Sequence, residues 1–267
     1  MFRHAIFSQN CLGQMKMGVE KTPRILSNYM VRHIDKHYVQ NYDNINRNLK
    51  ALYTCNNGLE GKRINIGGDH SMAIATGAYS LNKYINTKFI WIDAHADINT
   101  MESSNSGNLH GMPLGFLTGQ SRTNLFPFIR NKLRYDNLFY IGLRDIDYYE
   151  KRIITRHKIP VVKSTRCNDS VQRVCDLLGK FCGDSPIHLS FDVDAIDPLY
   201  ISSTGTPVKK GINPSSATKL IKYINDTLDV VNMDVCELNL DIGSEKQKTR
   251  SLENTFRILD PLGIFKK

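Results

Sequence analysis

Short apolar runs rich in β-branched or aromatic residues recur along the chain, at 5–7, 64–66, 89–92, 138–143, 159–162, 187–193 and 235–240. Runs of this length suit strands. Stretches between them, such as 170–181 and 215–228, are long enough for helices. Strands alternating with helical segments predict an α/β fold on a mostly parallel sheet. No repeat, low-complexity tract or Pro/Gly/Ser-rich linker interrupts the pattern. In such a sheet, ligands gather beyond the carboxyl ends of the strands. The residues most able to do chemistry fall at those ends.

Three segments stand out. Gly67-Gly68-Asp69-His70-Ser71 follows the run at 64–66, Asp93-Ala94-His95-Ala96-Asp97 follows 89–92, and Asp192-Val193-Asp194 closes the run that starts at 187. If the backbone stays extended, Asp93, His95 and Asp97 point to one side, as do Asp192 and Asp194. Converging carboxylates repel each other and raise each other's pKa values unless a cation neutralises them. Four carboxylates and two imidazoles therefore predict two divalent ions. Mn²⁺ suits that donor set, and Zn²⁺, Co²⁺ and Ni²⁺ also accept such ligands. A single D-x-D or His is ordinarily a surface or capping feature. Three such segments, each behind an apolar run, are not explained that way.

With these motifs the chain closely resembles the ureohydrolases, the superfamily of arginases and agmatinases, from about Ile66 to Gly243, with a weaker match at Gly18-Val19-Glu20. The resemblance implies a single α/β domain over 1–267, with a doubly wound, mostly parallel sheet flanked by helices. It implies two Mn²⁺ per chain. His70, Asp93, Asp97 and Asp192 would hold one, and His95, Asp93, Asp192 and Asp194 the other, with Asp93 and Asp192 bridging. The D-x-H-x-D-I-N continuation and the segment Ser106-Gly107-Asn108-Leu109-His110-Gly111 resemble arginases more than agmatinases. The implied reaction is hydrolysis of L-arginine to L-ornithine and urea by a metal-bridging hydroxide.

A loop rich in Asn and Ser offers neutral donors to an α-carboxylate. By resemblance Asn99, Ser104 and Ser106 meet that carboxylate, Asp147 meets the α-ammonium, and Asn108 and Glu150 help through water. Glu237 lies in the run at 235–240, where an unpaired carboxylate would be costly. Resemblance makes it the guanidinium partner, with Thr206 lining the same pocket. Asp97 would relay a proton and His110 would shuttle it to solvent, since imidazole titrates in the useful range.

Composition narrows the surroundings. An apolar fraction of 41% and a charged fraction of 23% suit a globular protein with a sizeable core. The net charge of +9 is spread without a basic run, so a solvated surface is expected and no nucleic-acid partner. No apolar run is long enough to cross a membrane, and the start MFRHAIFSQN lacks a signal-length apolar stretch, so a cytoplasmic location is expected. The six cysteines show no C-x-x-C pair and are expected as free thiols. Two features depart from the arginase pattern. Leu240 replaces a proline, and 212–216 lacks an Arg-Glu pair placed at trimer interfaces, so a homotrimer is only weakly implied. The alternatives are an agmatinase or guanidinobutyrase type of ureohydrolase, or a non-catalytic arginine-binding relative.

Overall fold

The computed structural model describes residues 2–14 and 16–266. Eight parallel strands form one sheet: β1 (His4–Phe7), β2 (Asp35–Tyr38), β3 (Arg63–Ile66), β4 (Lys88–Ile92), β5 (Leu138–Ile141), β6 (Val161–Val162), β7 (Ile187–Asp192) and β8 (Val230–Cys236). Their order across the sheet is β2-β1-β3-β8-β7-β4-β5-β6. From β3 the chain crosses over the centre to β4, then returns to fill the gap with β7 and β8. That reversal leaves the carboxyl ends of β3, β8, β7 and β4 side by side, at the switch point where such sheets bind ligands.

The helices are α1 (Thr22–Tyr29), α2 (Ile45–Asn57), α3 (Ala73–Lys83), α4 (Pro113–Thr118), α5 (Tyr148–His157), α6 (Ser164–Asp169), α7 (Val171–Cys182), α8 (Pro214–Thr227) and α9 (Glu245–Leu259). Caps fix several of their starts. Asn44 accepts the Arg47 N–H at 3.1 Å to open α2, and Asn213 accepts the Ser216 N–H at 2.8 Å to open α8. Asp147 and Glu150 form a reciprocal capping box on α5. No helix among the described residues is long and apolar enough to cross a membrane.

Strand alternation divides the core. Ile64, Ile90, Ile92, Leu189, Phe191, Met233 and Val235 face a core completed by α1, α7, α8 and α9. Phe89, Trp91, Leu138 and Tyr140 face the opposite side, with α3, α4 and α5. Two boundaries differ from the sequence reading. β2 is a polar, half-exposed edge strand, Asp-Lys-His-Tyr, with no apolar run to mark it. The last strand runs 230–236 rather than 235–240, so Glu237 lies past its end.

The face of β7 and β8 turned toward α3 is polar and fully buried. Asp234 accepts from Asn65 Nδ2 at 2.9 Å and Thr76 Oγ1 at 2.5 Å, and its Oδ2 lies 3.2 Å from His188 Nε2. Ser80 Oγ lies 2.9 Å from His188 Nδ1 and accepts from Asn232 Nδ2 at 3.1 Å. Most of these groups are satisfied by one another and by nearby backbone carbonyls, so much of the cost of burying them is met as a set. Asp234→Ala strands three of these partners and is expected to lower unfolding free energy by about 3 kcal/mol. Urea denaturation measures it, and a loss below about 1 kcal/mol contradicts this account of the network.

Candidate metal centre

After β3 the chain turns through Gly67 and Gly68. A Cβ on Gly68 would stand 1.8 Å from the Asn10 carbonyl oxygen, so this close backbone approach requires glycine. Asp69 then accepts the Ser71 N–H at 3.0 Å and opens a short 3-10 turn, 70–72, that turns His70 inward. Asp69 also takes the Ser71 hydroxyl and, at 2.7 Å, the Gly13 N–H.

β4 ends at Ile92, and the next five residues are looped rather than extended. Asp93 Oδ1 accepts the His95 N–H at 2.7 Å, and Asp97 adopts a left-handed φ of 51°. Asp93, His95 and Asp97 therefore converge through an aspartate-nucleated turn, not through strand alternation. The same device follows β7, where Asp192 Oδ1 accepts the Asp194 N–H at 2.7 Å.

The six side chains meet. His70 Nδ1 lies 2.9 Å from Asp97 Oδ2, 3.2 Å from Asp93 Oδ2 and 3.3 Å from Asp192 Oδ2. His95 Nδ1 lies 3.0 Å from Asp194 Oδ2 and 3.6 Å from Asp93 Oδ1. Asp93 thus divides its two oxygens between the two histidines. Around it, Trp91 Nε1 donates to Asp93 Oδ2 at 3.0 Å, and the Trp91 ring stacks on His70 with centroids 4.4 Å apart.

Electrostatics show a site with excess negative charge. Burial and the Asp93 charge push Asp97 up to about 6. Burial, then the Asp194 and Asp93 charges, push Asp192 well above the carboxylate range. Burial and Asp93 raise Asp194 as well. Burial opposes ionisation of Asp93, but His70 and His95 hold it below its usual range. Burial likewise opposes a cationic His95, yet Asp194 and Asp93 push it up to about 12. The pull of these acids on the two histidines marks where metal charge would serve. His70 Nδ1 is buried, close to three carboxylate oxygens, and hydrogen-bonded to none of them. That orphaned nitrogen and the carboxylate crowding fit a cation among these donors.

A cavity of about 260 Å³ opens onto the cluster. His70, His95, Asp97, Asp192 and Asp194 line its floor. Asn99, Ser104, Ser106, Asn108, Asp147 and Glu150 line the opposite rim, with His110 and Thr206 between. Thr206 Oγ1 donates to Asp194 Oδ2 at 3.1 Å. Asn99 gives its amide N–H to Asp147 Oδ2 at 2.8 Å and accepts from Ser103 Oγ at 2.8 Å. Glu150 is buried and accepts the Ile98 and Asp147 N–H groups at 3.2 and 3.0 Å. Burial pushes its carboxyl up to about 8.

Asp93 and Glu237 lie behind the lining. Glu237 leaves β8 at a left-handed φ of 66° and is 1% exposed. Its Oε1 accepts the His70 N–H at 2.8 Å and lies 3.2 Å from His110 Nδ1. Its Oε2 accepts from Gln14 Nε2 at 2.7 Å. Burial opposes both charges, but the pair holds Glu237 below its usual range and His110 above its own. Sequence reasoning missed Gln14. Its signal was positional, because the loop after β1 lies at the same carboxyl edge as the motifs. Leu240 is half-buried against the core, and the loop behind Glu237 is held by the Asn239 N–H on the Ser203 carbonyl at 2.8 Å.

The Arginase family model matches residues 8–257. The arginase of Neurospora crassa is 40% identical over 188 residues, covering 66% of this chain and 52% of that protein. The match thus spans about half of that relative's length. Among solved structures, Entamoeba histolytica arginase in complex with L-ornithine has a TM-score of 0.88 at 26% identity, covering 97% of this chain and 99% of that one. Bacillus subtilis arginase has a TM-score of 0.86 at 25% identity, with 98% of each chain covered. Matched from Ser8 to Arg257 by the family model, this chain belongs to the arginase family.

Proposed function

We propose that the chain hydrolyses the guanidinium group of L-arginine to L-ornithine and urea, with two Mn²⁺ ions as cofactor. The observation that carries this reading is one cavity with the carboxylate–imidazole cluster on its floor and Ser104, Ser106 and Asp147 on its rim. Hydroxyl and carboxylate groups suit the head group of an amino acid, and the carboxylate–imidazole cluster suits the reacting end. The Entamoeba arginase complex with L-ornithine supports the same product class.

His70, Asp93, Asp97 and Asp192 would hold one ion, and His95, Asp93, Asp192 and Asp194 the other, with Asp93 and Asp192 shared. Such ions, when bound, supply a water activated near neutral pH and a Lewis-acid field at the scissile carbon. Carboxylate and imidazole donors suit Mn²⁺.

The chain's own groups do the rest. Ser104 Oγ accepts the Gly107 N–H at 3.1 Å and Ser106 Oγ the Asn108 N–H at 3.2 Å, and the two hydroxyls lie 3.5 Å apart. A bound α-carboxylate takes the hydroxyl proton not shared between them, and the other on displacing that weak contact. Asp147 is exposed at the rim and takes the α-ammonium. Asn99 has both amide ends committed to Asp147 and Ser103, so it orients Asp147. Asn108 supports the rim through water. Glu150 spends its carboxylate on two backbone N–H groups and shapes the turn beneath Asp147. Thr206 steadies Asp194. Glu237 binds the guanidinium, which takes over the place of His110 on its carboxylate. Asp97, at the cavity floor, accepts a proton as water adds to the guanidinium carbon and delivers it to the leaving nitrogen. His110, part-exposed, carries to solvent the separate proton released when the next water is ionised for attack.

The deciding experiment is urea release from L-arginine and agmatine with and without Mn²⁺ preincubation. Preference for arginine is expected, because agmatine has no carboxylate for Ser104 and Ser106. Preference for agmatine, or no urea at all, would replace this reading with another ureohydrolase or a binding role.

Asp93→Ala removes the shared carboxylate and is expected to abolish both metal uptake and urea release. His110→Asn is expected to slow turnover at least about tenfold while metal content stays at wild-type level. Metal analysis beside the urea assay separates the two, and full turnover in either variant contradicts its role. Metal affinity should rise with pH. His95 is protonated up to about 12 in the metal-free cluster, so an entering ion must displace its proton. Calorimetry in buffers of different ionisation enthalpy should show proton release on binding, and binding without it would contradict a protonated His95.

A further inference from the structure

Cys236 is the last residue of β8 and pairs in register with Asp192, the last residue of β7. Both side chains turn to the face of the sheet opposite the α7–α9 core, where Cys236 also borders a smaller apolar cluster with Met72, Ile74 and Met112. The Cys236 sulfur is fully buried, 3.9 Å from Asp192 Oδ2 and 3.8 Å from the Phe191 carbonyl. Sγ, a nitrogen of His70 and an oxygen of Asp192 all lie within 4.8 Å of one another.

A buried thiol beside acids is by itself only a packed residue. The second observation is the orphaned His70 Nδ1, which is buried and has no hydrogen-bond partner. The other nitrogen of that ring lies 2.7 Å from Ser190 Oγ, which leaves Nδ1 facing the oxygens of Asp97, Asp93 and Asp192. Neighbouring donors on one ion, with metal–sulfur near 2.3 Å and metal–oxygen near 2.0 Å, stand roughly 3 to 3.5 Å apart. The observed 3.9 Å closes to that range with a shift of the Cys236 and Asp192 side chains.

We propose that Cys236 adds a sulfur donor to the His70 side of the cluster, beside His70 and Asp192, so that this side also accepts a thiophilic divalent ion such as Zn²⁺, Co²⁺ or Cd²⁺ in place of Mn²⁺. The proposal rests on reading the cluster as a metal centre and refines that reading on one side. As the ion–sulfur bond forms, the thiol proton leaves to solvent, as proton release accompanies metal entry generally. Soft thiolate shifts selectivity toward Zn²⁺ and its neighbours, whereas the His95, Asp93 and Asp194 group keeps only nitrogen and oxygen donors. The two halves then differ in metal preference. Among the described residues, none of the other five cysteines joins a metal-competent group.

Metal-free protein titrated with Co²⁺ or Cd²⁺ tests this by absorption spectroscopy alongside metal analysis. The expected result is a sulfur-to-metal charge-transfer band in the ultraviolet that saturates with one ion per chain. The band should vanish in Cys236→Ser, and that variant should lose about tenfold or more in Cd²⁺ affinity relative to Mn²⁺. Cys236→Ala replaces Cys236→Ser if the serine variant does not fold. Two ions bound by the wild-type chain without the band, or a band that survives both substitutions, would overturn the sulfur ligand and leave the metal centre standing. A chain that binds no divalent ion would overturn both.

Discussion

Mutual repulsion among buried acids is the constraint around which this molecule is arranged. Asp93, Asp97, Asp192 and Asp194 are nearly or wholly withdrawn from water at neighbouring strand ends. Isolated, each would lose its charge or force the site open. Two histidines offset part of the charge, and the pull of the acids on His95 shows how much positive charge the site demands. Divalent cations meet that demand with better geometry than protons, because one ion contacts several oxygens at once. The conformations that build the site are costly alone. Left-handed backbone at Asp97 and Glu237 persists where surrounding bonds hold it.

Sheet topology makes the convergence possible. The crossover from β3 to β4, later filled by β7 and β8, brings four carboxyl ends to one spot. Along β7 and β8 one face is apolar and packs against α7, α8 and α9. The other carries the cluster at its end and the Asp234 network beneath it. This buried polar column is tied together by hydrogen bonds of Asp234 to Asn65 and Thr76 and of Ser80 to His188 and Asn232. The same face delivers Cys236 to the cluster. A single strand register therefore decides the support of the site and its donor set.

Much of this was legible in the chain. The apolar runs marked the central strands, the motifs behind them named all six clustered residues, and Ser104 and Ser106 of the loop after Asp97 line the cavity. The physical basis is local. An apolar run of strand length followed by Asp, His or Gly carries its own signal, and aspartate bonds to the backbone two residues on wherever it turns. The polar edge strand β2 was not legible, because an edge half in water needs no apolar pattern.

What the sequence determined by itself was the set of carboxylate and imidazole groups and the strand ends that present them. Tertiary structure decided how those groups meet. Asp93 and Asp97 converge through a turn that alternation did not foresee, and Glu237 lies past its strand rather than within it. Gln14 reaches Glu237 across 223 residues of chain, and Cys236 reaches Asp192 through strand pairing across 44. Local patterns report what a residue does to its neighbours in sequence. Pairings over such separations follow from strand order and register, set by packing of the whole sheet, and no short window of residues contains them.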